Sequence, residues 1–542
     1  MASIAAAPEV FTRKASGLVR VMSPYSAFIY NILTMGLIFP WTYLWAPGAL
    51  PGGKLVWGIL LAMLLEIPIA LAYVWLSTAL PRSGGDYVFQ SRAFGGFWGF
   101  TLLMSGFVIW ILQWVALSGW LLSYLGFGSL FLGLGHALAN PALTQLGLWF
   151  ISPNGIIITS ILNALLAMLL LVSGFKNYVK VQYVMFYAIL VAFATMLIVL
   201  FATPASAFVE RLNAFAVSTG AAPGFYESAA AAAEAAGVSL NPPFSMLAMI
   251  LVAPIAWTSL QWATYSAEQN GEIKDARSFK NQAFILVGSM IVTGILLALL
   301  AVAFEKPGGQ EFLSIAGAGY FGLAAAQIQP GLYLWPNILA IALGGSWIVV
   351  LLISFGYILN SFQIVNNCYI GVTRIMVAMS LDRLLPEWVS KVNERLHTPV
   401  NAHLIYFLFS IPVIFLYNRN PNWVSLTLGV TFACGYVFAA SSLAGAVLPF
   451  RAKELYEASP GAKYKIAGIP WVTILGGLGF ILGGAMVLSY LFVPQLGLTS
   501  PLAYGVVFGI IAVSAIWYFL AKAAQKRRGI NVDYAFKEIP PE

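Results

Sequence analysis

The chain has 542 residues, 60% of them hydrophobic and only 8% charged, with a mean hydropathy of +0.86. A soluble core does not need that much apolar residue, so a soluble enzyme or binding module is excluded. A net charge of +8 would suit a nucleic-acid partner, but the placement of the cations along the chain gives it a different meaning.

The N-terminus, "MASIAAAPEVFTRKASGLVR", has no apolar stretch followed by a small-residue cleavage site, so no signal peptide is expected. Crossing a bilayer as a helix takes about 20 residues. Apolar windows of that kind fall at 24–46, 55–80, 96–125, 154–174, 179–202, 244–266, 282–304, 336–362, 401–417, 423–448, 468–493 and 500–522. The expectation is an all-α polytopic membrane protein with 12 transmembrane helices. It has an N-terminal segment at 1–23, a single 12-span domain at 24–522 and a basic tail at 523–542. With the N-terminus placed inside, four of the 27 Lys and Arg fall outside: Lys54, Arg211, Lys306 and Arg419. The rest fall inside, matching the positive-inside rule and placing both termini in the cytoplasm of a cell-membrane protein. The charge is thus an orientation signal, and "KAAQKRR" at 522–528 reads as a cytoplasmic anchor rather than a nucleic-acid site.

Within span 1, "NILTMGLIFPW" carries Gly36 and Pro40, and within span 6 "LVAPIAWTS" carries Pro254. Span 2 carries Glu66, the single acid deep in the membrane, as a candidate group for coupling or for supporting a helix break. Three readings stay open: it bridges orphan backbone N–H groups, carries a proton, or pairs with a cationic substrate. In span 3, Trp110, Gln113 and Trp114 share one helix face. That face lines a cavity or packs in the bundle. The outer loop 203–243 contains "FYESAAAAAEAAG", whose Ala-rich part favours a short helix. The glycine-rich "LGGLGFILGGAM" at 475–486 suits a close helix contact, within the chain or between protomers. The two cysteines, Cys368 near a cytoplasmic end and Cys434 inside a span, and three histidines form no ligand spacing.

Three inner segments carry recognisable patterns: "PRSGGDYVFQSR" at Pro81–Arg92, "GEIKDARSFKNQ" at Gly271–Gln282, and "NNCYIGVTRIMVAMSLDRLLPEW" at Asn366–Trp388. In order and on one side, they resemble the amino acid–polyamine–organocation (APC) superfamily of permeases. The resemblance implies a LeuT-type fold, with spans 1–5 and 6–10 as an inverted repeat and two appended helices. It also implies a secondary transporter of amino acids or related amines that works by alternating access, with substrate held where helices 1 and 6 break.

The family's usual Gly-Ser-Gly triplet in span 1 is matched here by Thr34, Met35 and Gly36, which keeps one glycine. Pro254, Ile255, Ala256, Trp257 and Thr258 are the span 6 candidates for substrate binding, with Trp110 and Gln113 in span 3. Aligning span 6 on "GEIK" or on Ala267-Glu268 changes the register by about four residues. The family's span 2 glutamate sits nearer position 75, so its role does not transfer to Glu66. Ser354 in span 8 is the candidate hydroxyl for Na+ coupling, and span 5 lacks the lysine found in some proton-coupled members. The coupling ion, H+ or Na+, stays open, and no other cofactor or metal is expected. Arg82, Asp86 and Arg92 are expected to form charge pairs at an inner gate.

The expected partners are a small-molecule substrate and the lipid bilayer. Another twelve-span carrier type would have a longer loop between spans 6 and 7, and an enzyme would need a catalytic cluster within the spans. A carrier of another solute with the same fold, or a non-transporting membrane subunit, stays open.

Overall fold

The computed structural model describes residues 16–38, 41–420 and 427–537. Among these, eleven helices are long and apolar enough to cross a membrane. The expected first span consists of two shorter helices, α1 (Pro24–Met35) and α2 (Trp41–Ala49). Next come α3 (Leu55–Ala79), a short α4 (Gly85–Phe94) and the long α5 (Gly96–Ala137). A short helix α6 (Pro141–Ile151) leads into α7 (Pro153–Val172) and α8 (Phe175–Ala202).

Several helices start on a Ser-Pro or Asn-Pro pair, and the physics is the same each time. Ser23, Asn140, Ser152 and Ser500 each accept a hydrogen bond from a first-turn N–H, and the following proline has no N–H to satisfy. In a bilayer, where water is absent, this economy of unpaired donors matters more.

The loop 203–243 holds two helices, α9 (Ala205–Ser218) and the Ala-rich α10 (Phe225–Ala235). They are tied together by Asn213, whose side chain accepts the Tyr226 N–H at 2.8 Å and donates to Glu227 at 2.9 Å. Then α11 runs Met246–Leu260 and narrows into a 3-10 helix over Gln261–Glu272. After α12 (Phe279–Glu305) and α13 (Gly309–Tyr320), the expected span at 336–362 is corrected. Pro336–Gly344 is a separate helix α14, closed by Gly345 at φ 59°, and the membrane helix is α15, Trp347–Leu381. Its second half carries Asn366, Asn367 and Arg374, which lower the hydropathy there, yet all three are buried.

The last four spans are α16 (Val400–Arg419), α17 (Thr427–Arg451), α18 (Trp471–Phe492) and α19 (Pro501–Arg527). A two-residue hairpin, β1 (Lys465–Ile466) with β2 (Ile469–Pro470), precedes α18. Of the glycines at 475–486, Gly476, Gly479 and Gly483 pack within the chain, while Gly477 and Gly484 face open space. A Cβ on Gly476 would lie 2.4 Å from the Ser442 carbonyl oxygen of α17, and one on Gly479 3.2 Å from Ile69 of α3.

Candidate functional site

Helix α1 stops at Met35 because Gly36 turns left-handed, at φ 71°, and its N–H closes on the Ile32 carbonyl at 3.2 Å. The carbonyls after Ile32 at this helix end have no intrahelical donor, which makes it a place of partial negative charge. Pro40, the other expected interruption, lies outside the described residues.

The expected break at Pro254 is corrected. Helix α11 continues through that proline and loses its α-helical form only after Leu260. Proline removes one N–H, and a membrane helix buried in protein tolerates that loss. The backbone first leaves helical geometry at Gln269, with φ −106° and ψ 17°.

A small cavity of about 20 Å³ lies between these elements, lined by Thr34, Trp114, Trp262, Tyr265, Ile364, Asn367 and Cys368. None of these side chains is charged. Trp262 stands edge-on to Trp114 at 5.7 Å and to Tyr265 at 5.0 Å, so three rings form one wall. The polar wall is a bonded chain. Thr34 donates to the Tyr30 carbonyl at 2.6 Å and accepts from Asn367 at 2.5 Å, while Asn367 accepts from Tyr178 at 2.7 Å.

Of the expected substrate-binding residues, Thr34 lines this cavity, with Met35 and Gly36 at the adjoining helix end. Pro254, Trp257 and Thr258 face another way. The Pro254 carbonyl accepts from Tyr490, Thr258 lies 3.2 Å from Thr431, and the Trp257 ring fills the space beside Gly435. Ile255 and Ala256 are buried between them. Trp110 packs against Gly429, and Gln113 is buried on the same helix, so the span 3 residue at the cavity is Trp114. Trp262, Tyr265 and Asn367 were missed. Their signal was an aromatic pair three residues apart and an asparagine pair inside a buried helix.

Glu66 is fully buried and takes the Trp257 indole N–H at 2.6 Å. It therefore holds a side chain of α11 rather than orphan backbone N–H groups. Its other oxygen has no hydrogen-bond partner among the described residues. Ser354 is buried 3.3 Å from Ser129, joining α15 to α5 well away from the cavity-lining Asn367.

The expected pairing of Asp86 with Arg82 and Arg92 is replaced by a wider network. Asp86 accepts from the hydroxyls of Tyr73 and Ser441. Burial pushes its carboxyl above the ordinary range, and the Glu268 carboxyl beside it and the two hydroxyls offset part of that rise. Glu268 also takes the Asp86 N–H at 3.2 Å and, through its carbonyl, the Gly84 N–H at 2.8 Å, which anchors the start of α4. Arg92 pairs with Asp382 at 2.8 Å, and Tyr87 donates to the same carboxylate at 2.9 Å. Arg82 donates to the Pro81 carbonyl at 3.3 Å. Arg374 holds Glu272 in a two-pronged pair at 2.7 and 2.9 Å, fully buried. These contacts bind α4 and the end of the 3-10 segment to α15.

The family model for amino acid permeases matches residues 24–522, which takes in every membrane helix and the cavity. The chain belongs to the amino acid permease family. It is thus a multi-pass membrane transporter of the APC superfamily, not an enzyme, with a small-molecule substrate. A short stretch of 83 residues is also 32% identical to "Uncharacterized protein 399" of Sulfolobus islandicus rod-shaped virus 1. That stretch covers 15% of the permease and 21% of the viral protein, so it bears on a segment and not on the whole.

Proposed function

We propose that the permease is a secondary active transporter of amino acids or related amines across the cell membrane, working by alternating access with both termini cytoplasmic. The observation that carries this reading is the end of α1 at Gly36, whose terminal carbonyls stand beside the cavity of Thr34, Trp262, Tyr265 and Asn367. Helix-end carbonyls attract an ammonium group, and aromatic faces add a cation–π contribution of about 0.5–2 kcal/mol. The cavity, at about 20 Å³, has room for about one water and must widen to take a substrate, and the Arg92–Asp382 and Arg374–Glu272 pairs at the inner end would have to part for release to that side. The LeuT-type inverted repeat supplies the two halves that move against each other.

Coupling to a proton is favoured over sodium. Glu66 is an acid in the membrane interior with a single hydrogen-bond donor, while Ser354 already bonds to Ser129.

Uptake of labelled amino acids and amines into proteoliposomes tests the reading. Uptake in the parent and its loss in Trp262→Ala are expected. Absence of uptake or exchange with every amino acid and amine would leave a carrier of another solute or a non-transporting subunit. Glu66→Gln tests the coupling: accumulation with unchanged pH dependence would remove the proton from Glu66.

A further inference from the structure

A second, wide concavity is separate from the cavity at the helix break. It is a cleft of about 1190 Å³ between α5, α17, α18 and the C-terminal tail, at the end of the bundle that carries α4. Its lining mixes polar and apolar surface, and its apolar side chains are open. Trp98, Phe450 and Phe480 line it with 52%, 68% and 41% of their surfaces exposed. In a membrane protein, large exposed apolar side chains at helix depth face lipid. Its mouth is basic: Arg451, Lys453 and Lys537 line it and are exposed, against one acid, Glu454. Lys453 also meets Glu457 at 3.9 Å, and Lys537 lies over the Tyr534 ring. Both are surface contacts that leave the cations in reach of a ligand. Arg92, deeper in the wall, is already neutralised by Asp382.

The depth argues for the ligand. From Arg451 to Ala440, both in the lining, is eleven residues of helix, or about 16 Å at 1.5 Å per residue. One leaflet of a hydrocarbon core of about 30 Å has that thickness. A free phosphate would use the mouth alone and leave the apolar side chains uncovered. A cationic rim above a leaflet-deep groove with apolar side chains complements an amphiphile with an anionic head. From this complementarity of charge and depth we infer that the cleft is a binding site for one acidic phospholipid, its phosphate between Arg451, Lys453 and Lys537 and an acyl chain along Phe450 and Phe480.

The site touches the gate. Phe536 lines the cleft, lies 5.8 Å from the Arg92 guanidinium and fills the space a Cβ on Gly96 would take. Arg92 also donates to the Ala535 carbonyl at 3.2 Å. A lipid seated here would press the tail onto the helix that carries the Arg92–Asp382 pair.

The test uses the full-length permease, with native mass spectrometry of retained phosphatidylglycerol against phosphatidylcholine. The parent is expected to retain phosphatidylglycerol selectively. The triple variant Arg451→Gln, Lys453→Gln, Lys537→Gln should lose it, by about fivefold for each charge removed. The control Lys526→Gln, Arg527→Gln, Arg528→Gln, which removes the same three charges outside the cleft, should retain it. Phe450→Ala, at an exposed wall position that the fold does not need, should weaken retention without changing the charge. Equal retention of both lipids, or equal loss in the triple variant and the control, would overturn the site. Displacement of the lipid by glycerol 3-phosphate would reassign the mouth to a soluble phosphate. A dimer that dissociates in the triple variant would give the face to a second copy of the chain.

Discussion

The two interruptions at the centre of the permease are held in opposite ways. At Gly36 the break is local: one residue with φ 71° ends α1, and no distant contact is needed to explain it. In α11 the proline does not break the helix, and the irregular stretch Gln261–Glu272 is held by its neighbours. The Ser266 N–H goes to Asn31 at 3.0 Å, Asn270 donates to the Ser77 carbonyl at 2.7 Å, and Arg374 grips Glu272. All twelve residues of that stretch are buried. A left-handed backbone position is a local property of glycine. A strained helix in the membrane persists only where side chains from other helices satisfy it.

The largest expected effect is on the tertiary side. Arg374→Ala leaves Glu272 buried without its cation and should destabilise the protein by about 3–5 kcal/mol. Thermal unfolding in detergent reads this as a large fall in midpoint, and a shift within error would show that the 3-10 stretch does not depend on α15.

Gly36→Ala comes next. A side chain in the left-handed region should cost about 1–2 kcal/mol and should impair uptake as well, because the helix end at the cavity shifts. Wild-type stability and uptake in this variant would mean that the break is not set by the glycine.

Titration of Asp86 sharpens the same contrast at the start of α4. Its folded-state carboxyl is raised by burial, so the protonated form is favoured by folding. That contribution is full below the unfolded value of about 4 and is lost as pH rises through the raised value. The midpoint should therefore fall with rising pH more steeply in the parent than in Asp86→Asn, with Tyr73, Ser441 and Glu268 left in place. Parallel pH curves would remove the assignment.

The smallest effect is at Pro254. In Pro254→Ala a recovered backbone bond offsets lost packing, and stability should stay within about 1 kcal/mol of the parent. A large loss would make the proline a structural hinge after all.

Some of the site was legible in the sequence. Gly36 stands out because a helix break has a residue signature, and Thr34 was reached only through the resemblance to the family's span 1 triplet. Trp262 and Tyr265 did not stand out, because their role depends on where α11 stops being an α-helix, and that is decided by Asn31, Ser77 and Arg374 from three other helices. Asp86 was readable as a charged residue beside two glycines, but its partners Tyr73 and Ser441 are 13 and 355 residues away. Pairing Arg92 with Asp382 spans 290 residues, so loop proximity suggested Asp86 instead.

By itself the sequence determined that this is an all-helical membrane transporter, where most of its spans lie, and where α1 ends. The helical membrane class, the spans and the end of α1 follow from apolar length, capping residues and glycine geometry, which act over a few residues, whereas the transporter reading comes from the resemblance of three inner motifs to a permease family. Tertiary structure alone decided which aromatic rings meet at the cavity, that Glu66 serves Trp257, and that α15 begins at Trp347 and runs to Leu381. In a bilayer a polar side chain must find its partner inside the protein, and no property of the side chain alone names the helix that provides it.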